Sequence, residues 1–278
     1  MSLESARRTI WRGARMAGPA IDRIARFGFA AKGLVAVMIG ALSLRLALGR
    51  RGGDIAGPGE ALQQFLHQPF GWITLAVIAF GLWAYALWQL VAATLDPERK
   101  GTRLTAVAER IAFTVSAVGH ATLGLAAIHL LFGQASAGPV SADELAAQAL
   151  TPHVGRWIIG LVGAIIAISG ILQLRFGIIA GFRPVLCLEE MSSSERLAVI
   201  AIGRTGYLAL GVISSLIGTF LVRVAMLYDP EQAGGWDEAL GFLARLEHGR
   251  WILGVVAAGI VCYGVYFILL VRYRRQIG

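Results

Sequence analysis

Six stretches of the chain stay apolar for the length of a bilayer crossing. Residues 70–95, 111–133, 157–174, 205–222 and 251–271 contain no Asp, Glu, Lys or Arg, and each is about 18 residues or longer. A sixth stretch, residues 27–49, is interrupted by Lys32 and Arg45. The polar connections at 96–105 and 181–194 are too short for a domain, so the pattern predicts an all-α membrane protein of six transmembrane helices. Between the helices of each successive pair lies a loop with a short amphipathic piece: residues 59–68, 142–150 and 236–247. These pieces start on acids (Glu60, Asp143-Glu144, Asp237-Glu238), as expected of acid-capped helices lying on one membrane face. Gly71-Trp72, Gly155-Arg156-Trp157 and Gly249-Arg250-Trp251 then open the returning helices, and Trp beside Arg is an interfacial anchor.

The helix pairs read as one unit used three times. A shift of 178 residues carries Arg26, Gly28, Gly33, Gly40 and Arg45 onto Arg204, Gly206, Gly211, Gly218 and Arg223. The same shift carries Glu60-Ala61-Leu62 onto Glu238-Ala239-Leu240, and Gly71, Gly81 and Tyr85 onto Gly249, Gly259 and Tyr263. The middle copy aligns by 91 in its first helix (Gly119, Gly124) and by 84 in its second (Gly155, Gly170), which implies a loop seven residues shorter. The organisation expected is a basic arm at 1–21 and repeats at 22–100, 101–182 and 195–278, forming one membrane domain. Each copy has two spans, so all three run the same way through the bilayer. Tandem parallel helix-pair repeats can then stand in a pseudo-three-fold arrangement about the membrane normal.

Charge adds an orientation. The chain carries 25 Lys and Arg against 17 Asp and Glu, a net charge of +8. With the N-terminus inside, 16 of the basic residues fall on that side and 7 on the other, the two left over being Lys32 and Arg175. This positive-inside bias places both termini in the cytoplasm and accounts for the basic pI without nucleic acid. Basic tails of this kind also touch anionic membrane lipids. The first twenty residues are Arg-rich with no apolar core, unlike a cleavable signal, and Ile10, Trp11, Ala14 and Ala17 suit a short surface helix. Cys187 lies in a loop and Cys262 at mid-span, so they make neither a disulfide nor a metal site.

The stretches Ala-Arg-Phe-Gly-Phe-Ala-Ala-Lys-Gly at 25–33 and Gly-Arg-Thr-Gly-Tyr-Leu-Ala-Leu-Gly at 203–211, set in triplicated helix pairs, resemble the bacterial membrane proteins grouped as domain of unknown function 1206. The likeness runs from Asp22 to Arg275. It implies three tandem two-helix repeats in a bacterial inner membrane and supplies no catalytic or binding residues. The middle repeat departs from it, with Ala117 where the others have Arg and Leu123 where the first has Lys32.

Few residues carry candidate chemistry. Arg26, Gly33 and Gly40 are seven apart, as are Arg204, Gly211 and Gly218, so each set forms a stripe drifting by about 20° per step. Such stripes pack helices or line a cavity. Lys32 stands ten residues into its helix, about 15 Å deep, where a charge is a functional hypothesis by default. Gly28, one turn below, leaves space for its stem to snorkel. No acid lies in any of the six stretches, so an anionic solute, a lipid headgroup or a backbone carbonyl is the partner expected for Lys32. Arg45 and Arg223, near the other ends of their helices, are expected to tie to Glu60 and Glu238 as structural ion pairs, with Ser136 replacing Arg in the middle copy. Arg175, preceded by Gln173, is expected to snorkel.

His120 and His129 lie within a span but nine residues apart, on opposite faces, and cannot share a metal. Either can still serve as a haem ligand opposite His67, His153 or His248. No nucleotide loop, zinc helix motif, nucleophile elbow or intramembrane acid pair is present, so no catalytic role or resident cofactor is expected. The leading reading is a protein that binds or moves a small anionic or amphiphilic ligand near Lys32. The alternatives are an accessory subunit, packed against other membrane chains or its own copies, and a b-type haem protein.

Overall fold

The computed structural model describes residues 18–50, 53–95, 104–133, 155–229 and 232–274. Most of the basic arm, the amphipathic piece 142–150, Ser136 and His153 lie outside the described residues. Among the described residues eight α-helices follow in order: α1 (Gly18–Ala47), α2 (Pro58–Leu66), α3 (Gly71–Leu95), α4 (Leu104–Leu131), α5 (Gly155–Ile178), α6 (Ser193–Leu227), α7 (Trp236–Arg245) and α8 (Gly249–Tyr273). All but α2 and α7 are long and apolar enough to cross a membrane. No strand occurs among the described residues, and the fold is that of a multi-pass membrane protein.

The two short helices start where local chemistry dictates. Pro58 opens α2 with its φ already helical, and the Glu60 carboxylate turns back to accept the Gly57 N–H at 2.9 Å. Glu238 does the same for Gly235 at 2.5 Å. In α6 the capping box is complete: Ser192 Oγ accepts the Glu195 N–H at 3.3 Å, and Glu195 takes the Ser192 N–H at 2.8 Å. The turns into α3 and α8 are alike. Phe70 (φ 58°) and His248 (φ 62°) both adopt the left-handed conformation, and the N–H groups of Gly71 and Gly249 each donate at 2.8 Å, to Gln68 and Leu246. A β-carbon on either glycine would run into backbone carbonyls of the preceding short helix, those of Leu66 and Ala244.

Around the bundle the spans are neighbours in the order α4, α3, α1, α8, α6, α5, while α4 and α5 meet only marginally although consecutive in the chain. Close backbone crossings set this order. A β-carbon at Gly28 would stand 2.6 Å from the Tyr85 nitrogen, and one at Gly206 would stand 2.6 Å from the Tyr263 Cα. Gly81 receives the β-carbon of Ala31, as Gly259 receives that of Ala209. On their other side, Gly33 meets the Gly264 carbonyl of α8, and Gly211 meets the Gly170 carbonyl of α5. The glycine stripes are therefore helix seams.

One expected register is corrected. An offset of 91 puts Gly124 in the position of Gly33, yet its β-carbon would meet Trp83 and the carbonyl of Ala79 in α3. Those are the residues that a shift of 178 carries onto Val261 and Ala257, the neighbours of Gly40. Gly124 thus makes the contact of Gly40, 84 residues earlier, and no seven-residue loss in the following loop is needed. The ends of the helices agree: α1 stops at Ala47 and α4 at Leu131, and α3 starts at Gly71 and α5 at Gly155.

Two ties close the bundle ends. Arg250 at the start of α8 donates from Nε to the Ala47 carbonyl at 2.5 Å, at the end of α1 where the last carbonyls lack partners within the helix. At the opposite end the segment leading into α6 pairs with the end of α8, with Cys187 N–H donating to the Tyr273 carbonyl at 2.8 Å beside an isolated bridge between Leu186 and Arg274.

These crossings predict a graded response to added methyl groups. Gly28→Ala and Gly206→Ala must push two backbones apart and should each cost about 1–3 kcal/mol. Gly119→Ala, where a β-carbon meets nothing within 4 Å, should be neutral or slightly stabilising. Thermal unfolding of detergent-purified variants, followed by tryptophan fluorescence, checks the ranking.

Candidate functional site

Lys32 follows Gly28 by one helical turn, so the crossing that admits Tyr85 also places the Tyr85 ring beside the ammonium. The Nζ group donates to the Tyr85 hydroxyl at 3.0 Å. It stands 4.6 Å from the Tyr85 ring centroid, 4.4 Å from Phe267 and 5.3 Å from Tyr263. The two α8 rings are brought there by the Gly33 and Gly264 contact one residue further along α1. Ring faces are electronegative, and out of water each such contact is worth roughly 1–2 kcal/mol. The cage is thus a substitute for hydration, and Lys32 remains half-buried within it.

The rings continue outward from the cage. Phe29 packs edge-on to Tyr85, Trp88 and Phe267, while Tyr207 reaches Tyr263 and Tyr266 at 5.7 and 5.6 Å. Arg274 is a second cation in this cluster, 4% exposed, with its guanidinium 4.9 Å from the Phe29 ring and 4.8 Å from Trp88. On the α4 side His120 stands edge-on to Tyr85 with centroids 4.6 Å apart. Its Nδ1–H donates to the Ser116 carbonyl at 2.7 Å, and the Gln89 amide donates to Ser116 Oγ at 2.7 Å. Tyr85 is the hub, touching both Lys32 and His120.

The residues singled out from sequence part company here. Lys32, Gly28 and His120 meet around Tyr85. Gly28 does not leave room for snorkelling, because α3 fills that space and the Lys32 stem ends in the cage. Arg26 lies outside it: its Nε pairs with Asp22 at 2.8 Å, and its Nη atoms donate to the carbonyls of Val271 at 2.5 Å and Arg274 at 3.4 Å. It binds the end of α8 to α1. Arg204, its counterpart, is exposed on α6, and His129 is half-buried near the end of α4. Arg45, near the end of α1, and Arg223, near the end of α6, are both exposed, and their expected partners Glu60 and Glu238 stand at the starts of α2 and α7. Both glutamates spend a carboxylate oxygen on capping their own helices. Burial, and then Asp237 beside it, raise the Glu238 carboxyl above its ordinary value.

Tyr85, Tyr263, Phe267, Arg274, Gln89 and Ser116 were not among the sequence candidates. A signal existed for the tyrosines, which recur at the same offset as Gly28 and Gly206, since a glycine and the residue crossing it are retained together. Arg274 gave none, because a basic residue just past an apolar span reads as an ordinary interfacial charge.

The hub predicts non-additive stability effects. Tyr85→Phe should cost about 1–2 kcal/mol, because it leaves the ammonium short of an acceptor. In a Lys32→Met background the same change should cost less than about 0.5 kcal/mol. A double-mutant cycle by thermal unfolding reads the coupling directly.

With the geometry in place, comparison with known proteins gives the chain a family. A family model described as Domain of Unknown Function (DUF1206) matches it twice, at residues 27–96 and 205–274, the two segments whose glycine and tyrosine crossings coincide. Uncharacterized protein YxxB of Bacillus subtilis (strain 168) is 33% identical over 259 residues, which is 93% of each chain. No solved structure matches. Two matches to one family model, and identity along nearly the whole length, place this chain in the DUF1206 family.

Proposed function

We propose that the protein binds an anionic group, carried by a membrane lipid or a small amphiphile, at Lys32. One observation carries the reading: an ammonium in the middle of a membrane-crossing helix is held by a hydroxyl and three rings, and the carboxylates of the six spans' own sequence supply it no partner. A cage of this kind tolerates the charge without neutralising it. The marginal contact between α4 and α5 supports entry from the side, past α4, whose His120 meets the Tyr85 ring. The reading is of a binding rather than a catalytic protein.

A three-copy architecture fits this proposal if the middle copy keeps one offset of 84 throughout. That offset carries Arg26 to Arg110 and Glu60 to Glu144, and the shift of 178 carries the same two residues to Arg204 and Glu238. Lys32 then corresponds to Ser116 and Leu210, so the cation stands in one copy of three around a pseudo-three-fold axis. The excess of basic residues on the side of the termini supports an inner-membrane protein with both ends in the cytoplasm.

An accessory-subunit role is the second reading. It is favoured by the uneven burial of the spans, since α4, α5 and α6 leave most of their surface outward while α1, α3 and α8 bury half or more.

Native mass spectrometry of protein taken gently from its membrane tests the first reading. Anionic lipid or solute should remain bound to the wild type and to Lys32→Arg, and its occupancy should fall at least about tenfold in Lys32→Leu. Unchanged occupancy in Lys32→Leu sinks the proposal, and stoichiometric partner chains without bound ligand favour the second reading.

A further inference from the structure

Three seams between neighbouring spans are made alike. β-Carbons on Gly40, Gly124 and Gly218 would meet the carbonyls of Ala257, Ala79 and Gly163, which closes α1 on α8, α4 on α3 and α6 on α5. Both sets of positions are spaced by 84 and 178 in the chain, the offsets already given to the middle and last copies. A second kind of seam joins the two spans of one copy. In the first copy Gly28 and Ala31 of α1 cross Tyr85 and Gly81 of α3, and in the last Gly206 and Ala209 of α6 cross Tyr263 and Gly259 of α8. The same offsets give the middle copy Ala112 and Val115 on α4 against Ser169 and Ile165 on α5. All four crossing residues are replaced there, both glycines among them, and α4 and α5 meet only marginally.

Burial follows the replacement. Val35 and Ile213, one turn past the crossing glycine and alanine, are 5% and 0% exposed, whereas Gly119 in their place is exposed and has nothing within 4 Å of an added β-carbon. On the second helices Leu82 and Ile260 are buried, but their counterpart Ile166 is only half-buried, as are the four residues of the replaced crossing. A groove therefore runs between α4 and α5 where the other two copies have a closed seam. Of its wall residues only Ser169 is polar, and its hydroxyl already accepts from the Gln173 amide at 3.2 Å.

We infer that this groove seats an acyl chain of a membrane lipid, in place of the helix contact that the middle copy lacks. The inference rests on the offset of 84 and not on the anion at Lys32. The walls favour a lipid chain over a helix of another subunit or a second copy. At each of the five closed seams a glycine lets backbones touch, which is what holds membrane helices together when apolar burial gives no gain. Val115, Ile165 and Ile166 present branched side chains instead and keep a helix at a distance. A chain of methylenes is thin, flexible and free of hydrogen-bonding needs, and it restores the dispersion contacts that an empty groove forfeits.

The test uses the full chain reconstituted with phosphatidylcholine that carries a mid-chain diazirine, then washed in detergent to strip loosely held lipid, irradiated and mapped by peptide mass spectrometry. In the wild type, retained label should fall on Val115, Gly119 and Ile166, at least about fivefold above the outward-facing Val118, Ile168 and Leu172. Gly119→Leu, which fills the groove where there is room for a side chain, should lower the label on Val115 and Ile166 at least about fivefold. The fourfold variant Ala112→Gly, Val115→Ala, Ile165→Gly, Ser169→Tyr, which writes the crossing of the other copies into the middle one, should remove it. The probe is zwitterionic, so Lys32→Leu should leave the label in place. Label spread evenly over groove and outward residues, or unchanged by Gly119→Leu, overturns the inference and leaves the Lys32 reading standing. Label lost in Gly119→Leu but kept in the fourfold variant upholds the groove and overturns the offset of 84.

Discussion

Two helix crossings without side chains organise this protein. At Gly28 the backbone of α1 touches that of α3 at Tyr85, and at Gly206 the backbone of α6 touches that of α8 at Tyr263. In a bilayer there is no hydrophobic gain in joining two apolar helices, so association rests on close van der Waals packing and the few polar contacts it permits. The crossings provide both. They bring the aromatic rings of α3 and α8 inward, and the second glycine seam, Gly33 against Gly264, slides α8 along α1 until Tyr263 and Phe267 face the same ammonium as Tyr85. Remove the crossing and the cage has no wall.

The cage answers an electrostatic problem with an unusual choice of partner. A lysine inside a span is usually relieved by reaching water at the interface or by pairing with an acid. Here the ammonium is ringed by π-faces and one hydroxyl, which soften its desolvation but carry no net charge. Arg274 is treated in the same way by Phe29 and Trp88. A cation held among rings inside the bundle is predisposed to attract an anion.

Much of the fold was legible in sequence, because transmembrane architecture is written in long apolar runs and in recurring glycines. The six spans stand where the pattern placed them, and the short helices start at Pro58 and Trp236 where residues 59 and 236 were expected. The register of α4 against α1 was not legible. Gly124 matches Gly33 and Gly40 equally well as a letter, and only its contact with Ala79 and Trp83 distinguishes them. The site was half legible. Lys32 declared itself through the cost of its position, and Gly28 and His120 with it. The rings around them did not, since Tyr, Trp and Phe in apolar helices ordinarily read as packing or as interfacial anchors. Glu60 and Glu238 were legible as helix starts, because a glutamate at the third position of a short helix meets the open N–H of its own cap.

The claim on which the rest turns is that the caged ammonium meets the anionic group of a membrane ligand, for which a lipid phosphate is the most direct probe. Solid-state NMR dipolar recoupling between a lysine side chain labelled with nitrogen-15 and the phosphorus of bound lipid measures that contact in the bilayer, with Lys100 replaced by Arg so that Lys32 is the only lysine left. The account predicts dephasing from a nitrogen-to-phosphorus separation of about 4 Å, the length set by a charge-assisted hydrogen bond plus one phosphorus–oxygen bond. A lysine signal with no phosphorus dephasing, in protein that still carries lipid, contradicts it.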